Sequence, residues 1–169
     1  ANGIEHVGAH DALADVRATI GLARRLKSAQ PRLFDWALGL RDQRVAAKLL
    51  DTVEPKPVLH TSSRIPATRG CTSLVLPLAV MPDRPKSVIV IDLSADPSPL
   101  LNEPPDIIHD LVFTPSEDFP EGLERLPLKM IHSNHVPMLA PAATLKGVDT
   151  DRIGLDYGKC MEHAAQILP

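Results

Sequence analysis

Cysteine is nearly missing from this 169-residue chain: Cys71 and Cys160 are too few for a disulfide framework, and each is expected to pack as a small apolar side chain. Aromatic residues are scarce too. The five present (Phe34, Trp36, Phe113, Phe119 and Tyr157) leave little for a surface that stacks many rings. No run of 18 apolar residues and no charged-then-apolar leader occurs, so no membrane partner is expected and the default setting is soluble, reducing and cytoplasmic. A basic excess is lacking as well, because 18 Lys and Arg stand against 21 Asp and Glu for a net charge of -3. That excludes a protein coated in positive surface. There is no internal repeat or low-complexity tract. Proline, by contrast, is plentiful at 17 residues, which limits the length of regular elements and predicts substantial loops. The length suits one domain with added elements.

The charge is unevenly placed. Residues 1–70 hold 11 Lys and Arg against 7 acids, whereas residues 71–169 hold 7 against 14. Besides Arg17, the early basic set is Arg24, Arg25, Lys27, Arg32, Arg41, Arg44, Lys48, Lys56, Arg64 and Arg69. Binding phosphate needs local positive potential and not a high overall pI, although solvated helix faces account for Arg24, Arg25, Arg41, Arg44 and Lys48 equally well.

Three helices are expected before any strand, over about 11–29, 31–40 and 41–52, with Pro31 ending the first and fitting the first turn of the second. Val53-Glu54-Pro55-Lys56-Pro57 then reads as an extended connector and as the domain boundary. Beyond it, Val58-Leu59, Ser73 to Val80, Ser87 to Leu93 and Leu128 to Ile131 have the length and β-branched content of strands. Met81 to Lys86 reads as a wide hairpin loop, and Pro77 inside a strand predicts an edge or a bulge. Pro104 to Val112 and Asp149 to Leu168 read as helices, the second broken near Gly154 to Gly158. The fold class is therefore α+β: helices, then a small barrel or curled antiparallel sheet with helices added.

The residue pattern with most chemistry in it is His10-Asp11-Ala12-Leu13-Ala14-Asp15. Asn2-Gly3 is a turn pair, and Leu13, Val16, Ile20 and Ala23 recur at helical spacing directly behind it. Five helical steps of about 100° would separate His10 and Asp15 by about 140°, so the two serve one site only if His10 precedes the helix and Asp15 lies in its first turn. Asp11 then suits the cap, and the helix N-terminus favours an ionised Asp15. A first-turn stabilising acid and a loop histidine fit the same six residues. His6 carries no assigned role.

Read further, the chain resembles the bacterial exonuclease I family, exodeoxyribonucleases of the DEDDh type. Asn2 to His6, His10 to Val16, Gln30 to Asp35, Lys56 to His60, Arg69 to Ser73, Asp92 to Leu101 and Pro127 to His132 match it in order, so the likeness covers nearly the whole chain. The resemblance implies that residues 1–30 are the C-terminal remnant of an RNase H-like exonuclease domain, 31–52 connecting helices and 53–169 an SH3-like accessory domain that helps enclose DNA. It implies 3′-to-5′ hydrolysis of single-stranded DNA by two Mg²⁺ (or Mn²⁺) ions, with Asp15 as a metal ligand and His10 taking the proton of the attacking water. Three further acids of that centre are expected before Ala1, so the chain is expected to be a fragment, inactive and metal-free by itself.

The same resemblance points to His60, Ser62, Arg64, Arg69, Thr72, His132 and Asn134 as contacts to the DNA backbone, of a kind that binds any sequence. Ordinary loop polarity is their competing reading. Where the family commonly has aromatic or Met-rich residues, this chain has Arg64-Ile65-Pro66 and Val80-Met81-Pro82. A second implied partner is the acidic, apolar-ended tail of single-stranded DNA-binding protein, at Trp36, Lys56 and Lys146; plain core is the stronger reading of Trp36. His132-x-x-His135 lacks the further clustered ligands that zinc requires. The alternative to a nuclease fragment is a non-catalytic module that binds DNA or a partner, with His10 and Asp15 as relics.

Overall fold

Pro31 cannot donate a backbone hydrogen bond, and it separates α1 (Ala12–Ala29) from α2 (Pro31–Gly39) while starting the latter in its first turn. The computed structural model describes residues 12–115, 117–119, 121–122 and 125–168. His10 and the Asp11 cap lie outside the described residues. Contacts divide the chain into two units at Arg41–Asp42. In the first unit α1 packs along α2, with the Lys27 ammonium 5.8 Å from the centre of the Phe34 ring. No residue of α1 is buried, and its apolar residues Leu13, Val16, Ile20 and Leu26 are exposed.

The second unit opens on α3 (Gln43–Leu49), whose cap is Asp42, accepting a hydrogen bond of 3.0 Å from the Arg44 amide. Because α3 buries Ala46 and lies against the sheet, this division falls earlier than the Val53 to Pro57 connector. Five strands follow: β1 (Val58–Thr61), β2 (Thr72–Met81), β3 (Arg84–Asp92), β4 (Leu128–His132) and β5 (Met138–Pro141). They form one antiparallel sheet in the order β4-β3-β2-β1-β5. The expected wide hairpin loop is tighter than the sequence suggested, since β2 and β3 run to Met81 and from Arg84 and only Pro82-Asp83 turn between them. Pro77 sits beside a register shift in a central strand, so it marks a bulge and not an edge.

Alternation of side chains along paired strands gives the sheet two different faces. Leu74, Leu76, Ile91 and Leu93 share one of them and form the core with Leu145, Leu155, Cys160 and Ala164. The last two belong to α6 (Tyr157–Ile167), capped by Asp156, which accepts from the Lys159 amide at 2.9 Å. His163 of α6 donates from Nδ1 to the Leu93 carbonyl at 2.9 Å, tying helix to sheet through a buried polar group that has its partner. Two more helices, α4 (Ser98–Asn102) and α5 (Pro105–Phe113), lie between β3 and β4. Arg125 donates to the Val112 and Thr114 carbonyls and lies 4.5 Å over the Phe119 ring, which closes the end of α5.

Gly70 ends a 3₁₀ turn, Ala67–Arg69, in left-handed backbone at φ 58, and a Cβ there would lie 2.8 Å from Ile153 Cγ2. Both the backbone and the neighbour therefore demand glycine. Gly70→Ala is expected to destabilise the chain by about 2 kcal/mol, from left-handed strain plus the displaced isoleucine. Urea unfolding of the two proteins measures it, and an unchanged midpoint would contradict the crowding.

Candidate nucleic-acid interface

The sheet face turned away from the Leu74–Leu76 core carries Val58, His60, Ser73, Val75, Val90, Asp92 and Lys129. Polar residues in that row are unexpected inside a sheet, and they are joined. Asp92, at the end of β3, is buried with its side chain only 4% exposed. Arg69 Nη1 donates to Asp92 Oδ2 at 3.1 Å and Nη2 to Oδ1 at 3.3 Å, while Nη2 also reaches Ser73 Oγ at 2.9 Å. Lys129 Nζ lies 3.4 Å from Oδ2, and Ser94 donates to Oδ1 from its amide at 3.1 Å and its hydroxyl at 2.8 Å. Ser73 Oγ donates to Oδ1 as well.

Burial pushes the Asp92 carboxyl up, but the hydrogen bonds from Arg69, Ser73 and Ser94 together outweigh it and hold the group at about 2. His60 is half-buried beside this cluster, and its Nδ1 has no hydrogen-bond partner among the described residues. Burial, with Lys129 nearby, keeps its imidazole below the ordinary value against the opposing pull of Asp92.

The predicted contact residues fall into separate groups. His60 and Arg69 meet in this network. Arg69 had been expected to approach a phosphate; its guanidinium is engaged by Asp92 and Ser73, with a side chain 25% exposed. Thr72 is on the opposite face, its hydroxyl 3.0 Å from that of Thr61. Ser62 and Arg64 lie in the β1–β2 loop, where Ser62 Oγ accepts from the Arg64 amide at 3.3 Å and Arg64 is exposed. His132 ends β4, with Nδ1 2.8 Å from Ser87 Oγ and its ring centre 4.8 Å from that of His135. Asn134 is exposed in the turn after it, and Val136 in the same turn holds φ 49, a strained conformation for a β-branched residue.

Asp15 is exposed in the first turn of α1, and its carbonyl accepts from Thr19 Oγ1 at 2.9 Å. Trp36 lies in α2 of the first unit. Lys56 and Lys146 are both exposed in the second, Lys146 on the rim of a cavity of about 450 Å³ walled by Leu145, Val148, Thr150 and Tyr157. Sequence reasoning did not single out Asp92, Ser73, Ser94 or Lys129 as site residues. Their common signal is register: β2 and β3 pairing sets Asp92 beside Val75, one side-chain repeat from Ser73, and β4 brings Lys129 alongside.

Among the described residues no three His, Cys, Asp or Glu side chains lie close enough to hold a metal ion, so this part of the chain does not by itself fit the two-metal centre that the sequence resemblance implies. Among them, too, no helix is long and apolar enough to cross a membrane.

A five-stranded antiparallel sheet with a helix on its core face, preceded in the chain by helices, defines an α+β protein of SH3-like type. Residues 41–168 match the Exonuclease I SH3-like domain, and the chain belongs to that family. It is 42% identical over 163 residues to exodeoxyribonuclease I of Escherichia coli K12, covering 96% of this chain and 34% of the relative. Against exodeoxyribonuclease I of Haemophilus influenzae the identity is 38% over 168 residues, covering 99% and 36%. The crystal structure of E. coli exonuclease I in complex with a dA16 oligonucleotide is similar with a TM-score of 0.90 at 41% identity, covering 99% of this chain and 36% of that one. The chain thus spans about a third of the length of the relatives it matches.

Proposed function

We propose that this chain is part of an exodeoxyribonuclease I that hydrolyses single-stranded DNA from its 3′ end, and that it contributes a share of the active site and a wall of the DNA channel. The observation that carries this reading is likeness to an oligonucleotide-bound exonuclease I over 99% of the chain, the helical lead-in with Asp15 included. His10 and Asp15 are its assigned catalytic residues, Asp15 also a ligand to Mg²⁺ or Mn²⁺. One carboxylate holds no two-ion centre, so the remaining acidic donors are assigned to the part of the relatives that this chain does not span.

His60, Ser62, Arg64, Arg69, Thr72, His132 and Asn134 are assigned as contacts to the DNA backbone. Their spread over loop, sheet face and turn suits a strand held by its backbone at several points. Trp36, Lys56 and Lys146 are assigned to the tail of single-stranded DNA-binding protein. A lysine at the rim of a cavity walled by Leu145, Val148 and Tyr157 suits a peptide that ends in an apolar residue and a carboxylate. That same cavity favours the second reading, a module that docks a partner without catalysis. Cys71 and Cys160 are both free thiols, which suits a reducing compartment, and we place the protein in the cytoplasm.

Separate titrations of a labelled (dT) oligomer and an acidic, apolar-ended peptide test the two readings. DNA binding is expected to be weak and indifferent to sequence, and to fall about tenfold from about 50 to about 200 mM salt, as roughly two or three phosphate contacts dictate. Peptide binding with no DNA binding at low salt would leave the docking module.

A further inference from the structure

The ten residues between β1 and β2 form a loop fixed at three points. At its base the Ser62 amide donates to the Cys71 carbonyl at 2.8 Å. In its middle Ile65 is buried to 2% exposure, so the neighbouring Arg64 stays on the outside. At its far end the 3₁₀ turn Ala67–Arg69 closes on Pro66 and Ala67, and from there Arg69 reaches across β2 to β3 and takes the Asp92 carboxylate with both terminal nitrogens. A guanidinium fork on a buried carboxylate fixes direction as well as distance. Asp92 is itself held from three other sides by Ser73, Ser94 and Lys129, so it cannot follow the loop.

We propose that Asp92 is a positioning residue for DNA binding: through Arg69 it holds the 62–71 loop in the geometry in which Ser62 and Arg64 meet the phosphate backbone. This rests on the reading of Ser62 and Arg64 as DNA contacts. Asp92 touches no DNA in this scheme, and its effect is preorganisation, sparing the loop the loss of freedom on binding.

Electrostatics and positioning predict opposite signs for one substitution. Removing a carboxylate beside a polyanion raises affinity if charge alone acts. If Asp92 positions the loop, Asp92→Asn frees Arg69 and lowers affinity.

The experiment measures affinity of the full 169-residue chain for a labelled (dT) oligomer at low salt, with thermal melting to establish that each variant is folded. Asp92→Asn and Arg64→Ala are each expected to weaken binding about fivefold, and the double variant also about fivefold instead of about twenty-five-fold, because both act through one loop. A general loss of stability would not produce that coupling. Arg69→Lys, which keeps the charge and loses the fork, is expected to weaken binding likewise and replaces Asp92→Asn should that variant not fold. If Arg64→Ala weakens binding while Asp92→Asn leaves it unchanged or tighter, or the two effects multiply, the positioning role is overturned and the loop contact stands. If Arg64→Ala changes nothing, the loop contact itself is wrong and the proposal goes with it.

Discussion

Asp92→Ala is expected to lower the stability of the chain by about 3 kcal/mol, because it removes a buried acceptor that several donors share. Arg69 loses two hydrogen bonds, Ser94 two and Ser73 one, and the Arg69 and Lys129 cations are left facing each other without the charge between them. Breaking a buried ion pair by deleting one partner costs about 3–5 kcal/mol, and the lower end applies since Arg69 and Lys129 keep 25% and 31% of their side chains exposed. The carboxyl also makes stability depend on pH. Its folded value of about 2 is below the ordinary 3.8, so its contribution is complete well above 3.8 and is lost as pH falls toward 2. A shift of that size corresponds to about 2 kcal/mol. Urea unfolding between about pH 5 and about pH 2.5 should therefore show a steep acid limb that flattens in Asp92→Asn. Asp42, also at about 2 through its hydrogen bonds from Arg44, sits at the surface with an exposed partner, where screening keeps such a pair weak. An acid limb unchanged in Asp92→Asn would remove Asp92 as its origin.

Local order was largely legible in the sequence because the signals there are local. Pro31 at a helix start and the β-branched runs at Ser73 to Val80 and Ser87 to Leu93 each act within a few residues, and the structure has α2, β2 and β3 there. β5 carried no such signal: Met138–Pro141 has no β-branched residue and ends in proline, and it is a strand because its register against β1 lets Val58 to Thr61 pair on a second side. The short helix α4 was hidden in the same way among prolines.

The buried polar network was illegible for a further reason. Arg69 and Asp92 are 23 residues apart and Lys129 and Asp92 are 37, and no spacing rule spans such distances; only the pairing of β2, β3 and β4 brings them together. Gly70, next to Arg69, answers to the chain's own packing, since a Cβ there would meet Ile153. Asp15 is singled out through resemblance alone, since an exposed acid in a first helical turn is ordinary.

The purified 169-residue chain is expected to release no nucleotides from single-stranded DNA in the presence of Mg²⁺, while a protein that joins it to the remaining two thirds of its relatives' length degrades the same strand. Phosphodiester hydrolysis of this type needs several carboxylates converging on the reacting phosphate, and among the described residues no three acidic, histidine or cysteine groups converge. Asp15 is exposed at the start of α1, whose apolar residues Leu13, Val16, Ile20 and Leu26 are exposed too. One carboxylate supplies too few oxygen ligands for Mg²⁺, an ion that gives up its hydration reluctantly. In the longer protein, Asp15→Asn should then lower the rate about a thousandfold, equivalent to about 4 kcal/mol of lost transition-state stabilisation, with little change in affinity for the oligonucleotide. The assay is release of labelled nucleotide with and without Mg²⁺. Metal-dependent release by the 169-residue chain that Asp15→Ala abolishes would mean that this chain completes the site by itself, from residues outside those described or from a second copy, and would overturn the assignment of the missing donors to the rest of the protein.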